Sequence, residues 1–434
     1  MKNILALIIL DGWGYRDDKK DNAIASARTP FFDSLWSNFP HTLLEASGEH
    51  VGLLPGVIGN SEVGHMTIGS GRTIATDLVR IGKSIRENDY KKIPAFHKLF
   101  KQVKDNDSVL HVMGLVSPIG VHSHQEHLHE FLKLAKEEGV RKIAIHVFTD
   151  GRDSPPQAGV GYLKELEELL SDLDTGHIAT VAGRYYAMDR DKNWQRTEIA
   201  LGAVFENKGD KHAKLRPSEA VQKLYESGAQ DEHLTPLIFP DPNGKYSKIE
   251  KNDGIFFFNF RNDRARQLCY KILEKGKNMR LMLVTMTEYA PDIESVVAFP
   301  RHKIEGTLAE TVAKAGLRQV HIAETEKYAH VTYFFNGERK EPYPNEKNIL
   351  IESRKDIKMH NEAPEMRAQE IADAAIKSIE EGTEFLVINF ANADMVGHTA
   401  DIEATKKAVE TVDRELKRIV EALDEHNGIA FITA

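Results

Sequence analysis

Residues 142–153 read Lys-Ile-Ala-Ile-His-Val-Phe-Thr-Asp-Gly-Arg-Asp, an apolar, β-branched run that ends abruptly in charged residues. The run is short for a helix, and its composition is typical of a strand that is buried on both faces. The charged tail then predicts a loop at the carboxyl end of that strand. This pattern decides the fold because it recurs along the chain.

Five further segments show the same order of features, an apolar run followed by polar or charged residues and then a helical pattern. The apolar runs cover residues 4–10, 109–116, 177–182, 254–260 and 385–390. Strands that alternate with helices predict an α/β fold with a mostly parallel sheet. Open sheets of this kind bind ligands beyond the carboxyl ends of their strands, where the charged loops lie.

Length and composition narrow the class of protein. A chain of 434 residues is longer than one core usually holds, so we expect two domains. The net charge of -9 argues against nucleic acid or an anionic membrane as a partner. The single cysteine, Cys269, fits a reducing compartment and a place in the core. No apolar run approaches the roughly 20 residues of a membrane helix, so we expect a cytoplasmic protein.

Two residues near the N-terminal end are candidates for chemistry. Asp11 follows the first apolar run, where it could hold a cation or cap the next turn. Ser61 lies in residues 59–65, Gly-Asn-Ser-Glu-Val-Gly-His, whose glycines allow the backbone to approach a ligand closely. It could be a nucleophile activated by a base or a metal, or the N-cap of a helix. These alternatives stay open on the sequence alone.

Histidines and arginines gather after several runs. Residues 122–129 contain four histidines, which could hold a metal, meet a phosphate at a helix start, or be solvated. In residues 150–156, Arg152 stands beside Asp153, and the two prolines that follow predict the start of a helix. Arginines three apart at 261 and 264 predict one helical face. Because arginine binds phosphate and carboxylate through paired hydrogen bonds, these positions predict an anion pocket.

The last apolar run precedes a candidate metal pair. Asp394 and His398 follow residues 385–390 and are four positions apart. This spacing brings an oxygen donor and a nitrogen donor together, a mixture that suits a divalent metal.

Taken together, these stretches resemble the cofactor-independent, metal-dependent phosphoglycerate mutases of the alkaline phosphatase superfamily. The resemblance runs in order from residues 10–14 through 59–65, 150–156 and 258–266 to 394–398. It implies an α/β fold, with an alkaline-phosphatase-like three-layer domain at 1–76 and 301–434. A second α/β domain at 77–300 would be inserted into it and close over the substrate. The implied reaction interconverts 3-phosphoglycerate and 2-phosphoglycerate in glycolysis and gluconeogenesis, without 2,3-bisphosphoglycerate.

The resemblance also implies roles for single residues. Two divalent metal ions, typically Mn²⁺, would be held by Asp11 with Ser61 and by Asp394 with His398. Ser61 would be the nucleophile that becomes phosphoserine, Asp153 the acid/base, and Lys327 the active-site lysine. The implied substrate-binding residues are His122, Arg152, Asp153, Arg184, Arg190, Arg261, Arg264 and Lys327. We expect a monomer whose partner is the small molecule phosphoglycerate.

The family pattern continues beyond a strand such as residues 428–434. It then has Asp-His-Gly-Asn and a further histidine, which supply one aspartate and two histidine ligands. These lie outside the given sequence, so we expect a C-terminally shortened chain with an incomplete metal site. The alternatives are an inactive fragment that only binds phosphoglycerate, or a related phosphomutase or phosphatase.

Overall fold

The computed structural model describes residues 4–301 and 303–434. They form two compact units, one comprising Met1–Ala75 with Lys303–Ala434 and the other Thr76–His302. The first unit is thus discontinuous in sequence, and the second is one continuous segment.

Thirteen strands run through the described residues. They are β1 (Leu5–Leu10), β2 (Leu110–Leu115), β3 (Ile143–Thr149), β4 (His177–Gly183), β5 (Asp210–Lys211), β6 (Leu237–Ile238), β7 (Gly254–Phe257), β8 (Met282–Thr287), β9 (Val296–Phe299), β10 (Gln319–Glu324), β11 (Glu346–Ile351), β12 (Phe385–Phe390) and β13 (Ile429–Thr433).

Sixteen α-helices accompany the strands in the same residues. They are α1 (Ala23–Ser26), α2 (Pro30–Asn38), α3 (Ser61–Ser70), α4 (Asp77–Arg86), α5 (Pro94–Asp105), α6 (Gln125–Glu137), α7 (Gly159–Leu173), α8 (Arg184–Ala187), α9 (Trp194–Glu206), α10 (Pro217–Glu226), α11 (Arg266–Gly276), α12 (Leu308–Lys314), α13 (Thr325–Ala329), α14 (Ala368–Glu380), α15 (Asn392–Gly397) and α16 (Ile402–Glu425).

The first unit is built on a parallel five-stranded sheet with the order β11-β10-β12-β1-β13. Alternate side chains of β1 enter two different cores. Ala6, Ile8 and Leu10 pack with α14 and α16, whereas Ile9 packs on the opposite face with α12. Because strand side chains alternate between faces, helices cover both sides of the sheet. The unit therefore has the three layers that the resemblance implies.

The second unit has an eight-stranded sheet with the order β5-β6-β4-β3-β2-β7-β8-β9. Every pairing is parallel except that of β4 with β6. Leu110 and Val112 of β2 join the core under α5, α6 and α7, while Met113 and Leu115 join the core under α9 and α11. The prediction of an α/β fold with mostly parallel sheets is confirmed.

Two local predictions were wrong. The prolines at 155 and 156 do not begin a helix, because a turn closed by Ala158 N–H and the carbonyl of Pro155 comes first, and α7 begins at Gly159. Arg261 and Arg264 do not share a helical face, because α11 begins only at Arg266. In both places a turn brings polar groups to the strand end before the helix begins.

Two compositional expectations have structural counterparts. Cys269 is fully buried on α11, within the core beneath β7 and β8. Among the helices of residues 4–301 and 303–434, none combines the length and the apolar character needed to cross a membrane.

Candidate active site

Polar side chains in the first unit converge at the carboxyl edge of three neighbouring strands. Asp11 follows β1, Asn389 lies near the end of β12, and Lys327 stands on α13 directly after β10. Ser61 reaches the same place as the first residue of α3. This is the edge where open α/β sheets bind ligands. Asp11, Ser61, Lys327 and Asp394 are called the serine–lysine cluster below.

A glycine allows the turn after β1 to approach the loop after β12. Gly12 has a φ of 79°, in the left-handed region, and a Cβ there would lie 2.4 Å from the backbone nitrogen of Asp394. That nitrogen donates a hydrogen bond of 3.0 Å to the carbonyl of Asp11. Any other residue would push the two aspartates apart, so Gly12 fixes their separation.

Lys327 is the centre of the serine–lysine cluster. Its ammonium donates to Ser61 Oγ at 2.6 Å and to Asp394 Oδ2 at 2.6 Å, and it lies 3.2 Å from Asp11 Oδ2. Ser61 Oγ in turn donates to Asp11 Oδ1 at 3.1 Å. The lysine is 3% exposed, so these pairs are shielded from water. One cation therefore faces two carboxylates and the candidate nucleophile.

The surroundings favour an ionised Asp11 and a fixed Ser61. Burial opposes ionisation of Asp11, but the charge of Lys327 and a hydrogen bond from Asn389 outweigh it and lower the pKa of Asp11. Ser61 is not the N-cap of α3, because the side chain of Asn60 takes that position and accepts from Val63 N–H. The capped first turn presents the Ser61 hydroxyl where a helix N-terminus favours negative charge.

The donors of this cluster fit a divalent cation in chemical type. Asp394 and His398 lie on α15 and at its end, with His398 Nε2 3.6 Å from Asp394 Oδ1. The two carboxylates outnumber the single ammonium, which leaves a net negative charge among hard oxygen donors. Within residues 4–301 and 303–434, however, no three His, Cys, Asp or Glu side chains gather into a metal-binding group. The described residues thus supply pairs of ligands.

The second unit repeats this arrangement with arginines. His122 follows β2, residues 150–153 follow β3, Arg184 follows β4, and residues 261–264 follow β7. These strands are neighbours in the order β4-β3-β2-β7, so their carboxyl ends meet at one edge. His122, Asp153, Arg184, Arg190 and Arg261 are called the arginine cluster below.

Arg184 is the buried centre of the arginine cluster. Its Nη1 donates to Asp150 Oδ1 at 2.6 Å and to Asp153 Oδ2 at 2.5 Å, while Nη2 lies 2.8 Å from His122 Nε2. Because guanidinium nitrogens only donate, His122 Nε2 must be the acceptor and the imidazole is neutral. Burial and the charge of Arg184 accordingly lower the pKa of His122 to about 4.

Asp263 links the remaining arginines. Arg190 Nη1 donates to Asp263 Oδ2 at 2.7 Å, and Arg261 Nε lies 3.1 Å from Asp263 Oδ1. Burial opposes ionisation of Asp153, but the hydrogen bond and charge of Arg184 outweigh it and lower its pKa. The arginine cluster therefore holds ionised carboxylates beside its cations, and an anionic ligand would compete with them for the guanidinium groups.

Arg152 and Arg264 line a cavity of about 290 Å³ together with Arg184. Arg152 pairs with Glu232 at 3.3 Å, and Arg264 Nη1 donates to the carbonyl of Met188 at 3.2 Å. Burial and the neighbouring arginines lower the pKa of Arg264. This crowding of positive charge is what an anion pocket requires.

The candidate residues from the sequence thus fall into two sets, one in each unit. Sequence reasoning missed four residues that hold these sets together: Asp150 and Asp263 in the second unit, His65 and Asn389 in the first. Asp150 and Asp263 lie within two residues of candidate arginines in the sequence. Their negative charge beside those arginines could have identified them as ion-pair partners. Nothing in the spacing indicated that Asn389, inside an apolar run, would reach Asp11.

Comparison with known families matches both units. A family model described as the BPG-independent PGAM N-terminus matches residues 81–291. A second, described as type I phosphodiesterase / nucleotide pyrophosphatase, matches residues 270–433. A phosphodiesterase-like sheet with a serine at its carboxyl edge, combined with that second unit, defines the class of phosphomutases built on an alkaline-phosphatase-like fold.

Similar proteins narrow this class. The 2,3-bisphosphoglycerate-independent phosphoglycerate mutase 1 of Methanosarcina barkeri is 47% identical over 100% of this chain and 85% of its own length. The enzyme of Clostridioides difficile is 45% identical over 100% of this chain and 86% of its own. A crystal structure of Leishmania mexicana phosphoglycerate mutase at low cobalt concentration aligns with a TM-score of 0.59 and 29% sequence identity. The alignment covers 100% of this chain and 82% of the Leishmania chain. The chain belongs to the 2,3-bisphosphoglycerate-independent phosphoglycerate mutases.

Proposed function

We propose that this chain interconverts 3-phosphoglycerate and 2-phosphoglycerate by transferring the phosphoryl group to Ser61 and back to the other hydroxyl of the glycerate. One observation carries the proposal: the Lys327 ammonium joins Ser61 Oγ to two carboxylates at the carboxyl edge of the sheet. A serine that is isolated from cations would be a poor nucleophile at neutral pH. The relatives described above are named mutases, which favours this reaction over simple hydrolysis or binding alone.

Ser61 is the proposed nucleophile. Its Oγ forms a bond to phosphorus while the bond between phosphorus and the glycerate oxygen breaks, which leaves phosphoserine and free glycerate. Lys327, whose ammonium is 2.6 Å from Ser61 Oγ, would stabilise the negative charge on that oxygen and on the phosphoryl group. When bound, divalent ions held by Asp11 with Ser61 and by Asp394 with His398 would promote loss of the serine proton and neutralise phosphoryl charge.

The arginine cluster, with Arg152 and Arg264, is proposed to hold the glycerate. Guanidinium groups bind a carboxylate through paired hydrogen bonds, which would keep glycerate bound while it turns. Asp153 is proposed to take the proton from the attacking glycerate hydroxyl, because its lowered pKa keeps it ionised at neutral pH. In the first half-reaction Ser61 would release its proton to solvent while Asp153 relays one from solvent to the departing glycerate oxygen, and the second half-reaction reverses both transfers. The finer expectations of Mn²⁺ as the metal, a glycolytic role, a cytoplasmic location and a monomer belong to this proposal.

The proposal is tested by assaying the full-length protein with 3-phosphoglycerate and manganese, without 2,3-bisphosphoglycerate. We expect 2-phosphoglycerate to form, and phosphate to be found on Ser61 by mass spectrometry after rapid acid quenching. Ser61→Ala should abolish both signals. Ser70→Ala is the matched control, since Ser70 lies on the same helix but its hydroxyl bonds nearby backbone groups.

Three outcomes would contradict the proposal. Turnover by Ser61→Ala would remove the serine from its role. A requirement for 2,3-bisphosphoglycerate would indicate a different mechanism. Release of inorganic phosphate and glycerate without 2-phosphoglycerate would indicate a phosphatase.

A further inference from the structure

A buried chain of hydrogen bonds connects the backbone of Ser61 to the carboxylate of Asp11 by a second route. His65 lies one helical turn after Ser61 on α3, and its Nδ1 is 2.7 Å from the Ser61 carbonyl oxygen. His65 Nε2 is 3.0 Å from Asn389 Nδ2, which is 3.1 Å from Asp11 Oδ2. His65 is 3% exposed and Asn389 is fully buried, so water does not compete for these bonds.

The chemistry of the four groups fixes every proton in this chain. A backbone carbonyl only accepts, so His65 Nδ1 must carry a hydrogen. An amide nitrogen only donates, so Asn389 gives one hydrogen to Asp11 and the other to His65 Nε2, which must be unprotonated. Turning the Asn389 amide would set its oxygen against the Asp11 carboxylate. His65 is therefore neutral and held in one tautomer.

We propose that His65 and Asn389 are positioning residues for the reaction described above, on which this inference rests. They tie the first turn of α3 to the end of β1 and so hold Ser61 Oγ at its 3.1 Å distance from Asp11 Oδ1. Neither residue touches the substrate. They act by keeping the nucleophile and the carboxylate within the few tenths of an ångström that such a site tolerates.

A positioning role predicts a change in kcat rather than in KM. His65→Ala should lower kcat about 10- to 100-fold, the usual effect of removing a residue that orients a ligand or nucleophile. The KM for 3-phosphoglycerate should stay at its wild-type value, because the groups proposed to bind glycerate lie on other residues. His65→Asn should recover part of kcat, since its amide can still donate to the Ser61 carbonyl.

A double-mutant cycle tests whether His65 and Asn389 act together. Because both belong to one chain of bonds, the kcat losses of His65→Ala and Asn389→Ala should not add in the double variant. Fully additive losses, wild-type kcat in His65→Ala, or an effect confined to KM would each overturn the inference.

His321 supplies a matched control. It is also fully buried in the first unit, and its Nδ1 is 2.7 Å from a backbone carbonyl, that of Val331. His321→Ala should therefore lower the melting temperature as His65→Ala does, while kcat stays unchanged. An equal loss of kcat in both variants would mean that the effect of His65 is only structural, and the inference would fail.

A readout without turnover separates this inference from the proposed function. Nitrogen NMR of the histidine rings in the wild-type chain, with magnesium in place of manganese, should show neutral His65 with its proton on Nδ1. Asn389→Ala should shift the Nε2 signal because that nitrogen loses its donor. A proton on Nε2, or a doubly protonated ring at neutral pH, overturns the inference even if the chain is an active mutase. Absence of turnover with the expected tautomer overturns the proposed function and, with it, the positioning role of His65.

Discussion

Each unit places charged side chains at the carboxyl edge of its own mostly parallel sheet. The two clusters differ in how many positive groups neutralise their carboxylates. In the serine–lysine cluster, one buried ammonium serves two carboxylates and a hydroxyl. In the arginine cluster, Arg184 is buried and pairs with two aspartates, whereas Arg190 and Arg261 are about half exposed at 46% and 49%. The first cluster depends on one cation, and the second distributes its positive charge.

This difference separates two uses of charge. A buried pair is costly to break, because the partner that remains is left without water or a counter-ion. An exposed pair contributes little to stability, and its guanidinium can exchange a carboxylate partner for a ligand. The serine–lysine cluster is therefore a fixed arrangement suited to catalysis. The half-exposed Arg190 and Arg261 of the arginine cluster are suited to binding a ligand.

Loss of the Lys327 charge should have the largest effect. Lys327→Met keeps most of the volume but leaves Asp11 and Asp394 without their shared cation. We expect turnover to fall about 100- to 1000-fold, the usual effect of removing one donor that stabilises developing charge. The metal-free protein should also lose about 3 kcal/mol of unfolding free energy, measured by urea titration.

Lys314→Met is the control for Lys327→Met. Lys314 forms an exposed pair with Glu310 at 2.6 Å on α12. Its loss should leave the urea unfolding curve close to that of the wild type and turnover unchanged, because exposed ion pairs contribute little to stability. Near-normal turnover by Lys327→Met would remove the contrast between the two clusters, since the first would then not depend on its single cation.

Arginine replacements sharpen the comparison within the second unit. Arg184→Ala leaves Asp150 buried without its cation, so we expect a loss of about 3 kcal/mol in unfolding free energy, besides weaker binding. Arg152→Ala removes a side chain that is 55% exposed. It should leave stability within about 1 kcal/mol but raise the KM for 3-phosphoglycerate about 10- to 100-fold. Calorimetry and initial rates measure the two effects separately, and equal losses of stability in both variants would contradict the distinction.

The apolar runs predicted the α/β class and several strands well, because burial on both faces produces continuous apolar segments. The runs at 142–149 and 385–390 match β3 and β12 to within one residue. The helix predicted after Pro155 and the helical pair at 261 and 264 failed because turn geometry, rather than side-chain period, governs the first residues after a strand. Periodicity gives no information about such turns.

The charged candidates were also easier to predict than their partners. Arginines and aspartates at strand ends stand out by residue type, which makes Arg152 and Asp11 candidates on the sequence alone. Asn389 looked like part of an apolar strand, and its contact with Asp11 depends on the order β12-β1, across 378 positions of sequence. Hydrogen bonds that depend on strand order and side-chain direction require the three-dimensional structure.

The smallest predicted effect at pH 7 concerns a buried histidine outside the arginine cluster. His127 on α6 is 2% exposed, and its Nδ1 has no hydrogen-bond partner among the described residues. Burial, reinforced by His124, lowers the pKa of His127 to about 3. An unfolded chain would bind a proton here near pH 6.5, so between these values the unfolded state holds more protons than the folded one. Stability should therefore fall as the pH falls through this window.

His127→Leu removes the imidazole that binds a proton in the unfolded chain, and it fills the site with an apolar side chain. At pH 7 we expect the variant to be at least as stable as the wild type, because no buried polar ring atom is left unpaired. From pH 6 to pH 4 the variant should gain relative stability by up to about 1.4 kcal/mol per pH unit, the slope for one bound proton. Calorimetric melting at several pH values measures the difference.

His50→Leu is the control, since that residue is exposed. Parallel pH curves for His127→Leu and the wild type would mean that His127 is protonated in the folded protein, and burial in the second unit would then not exclude charge from this position.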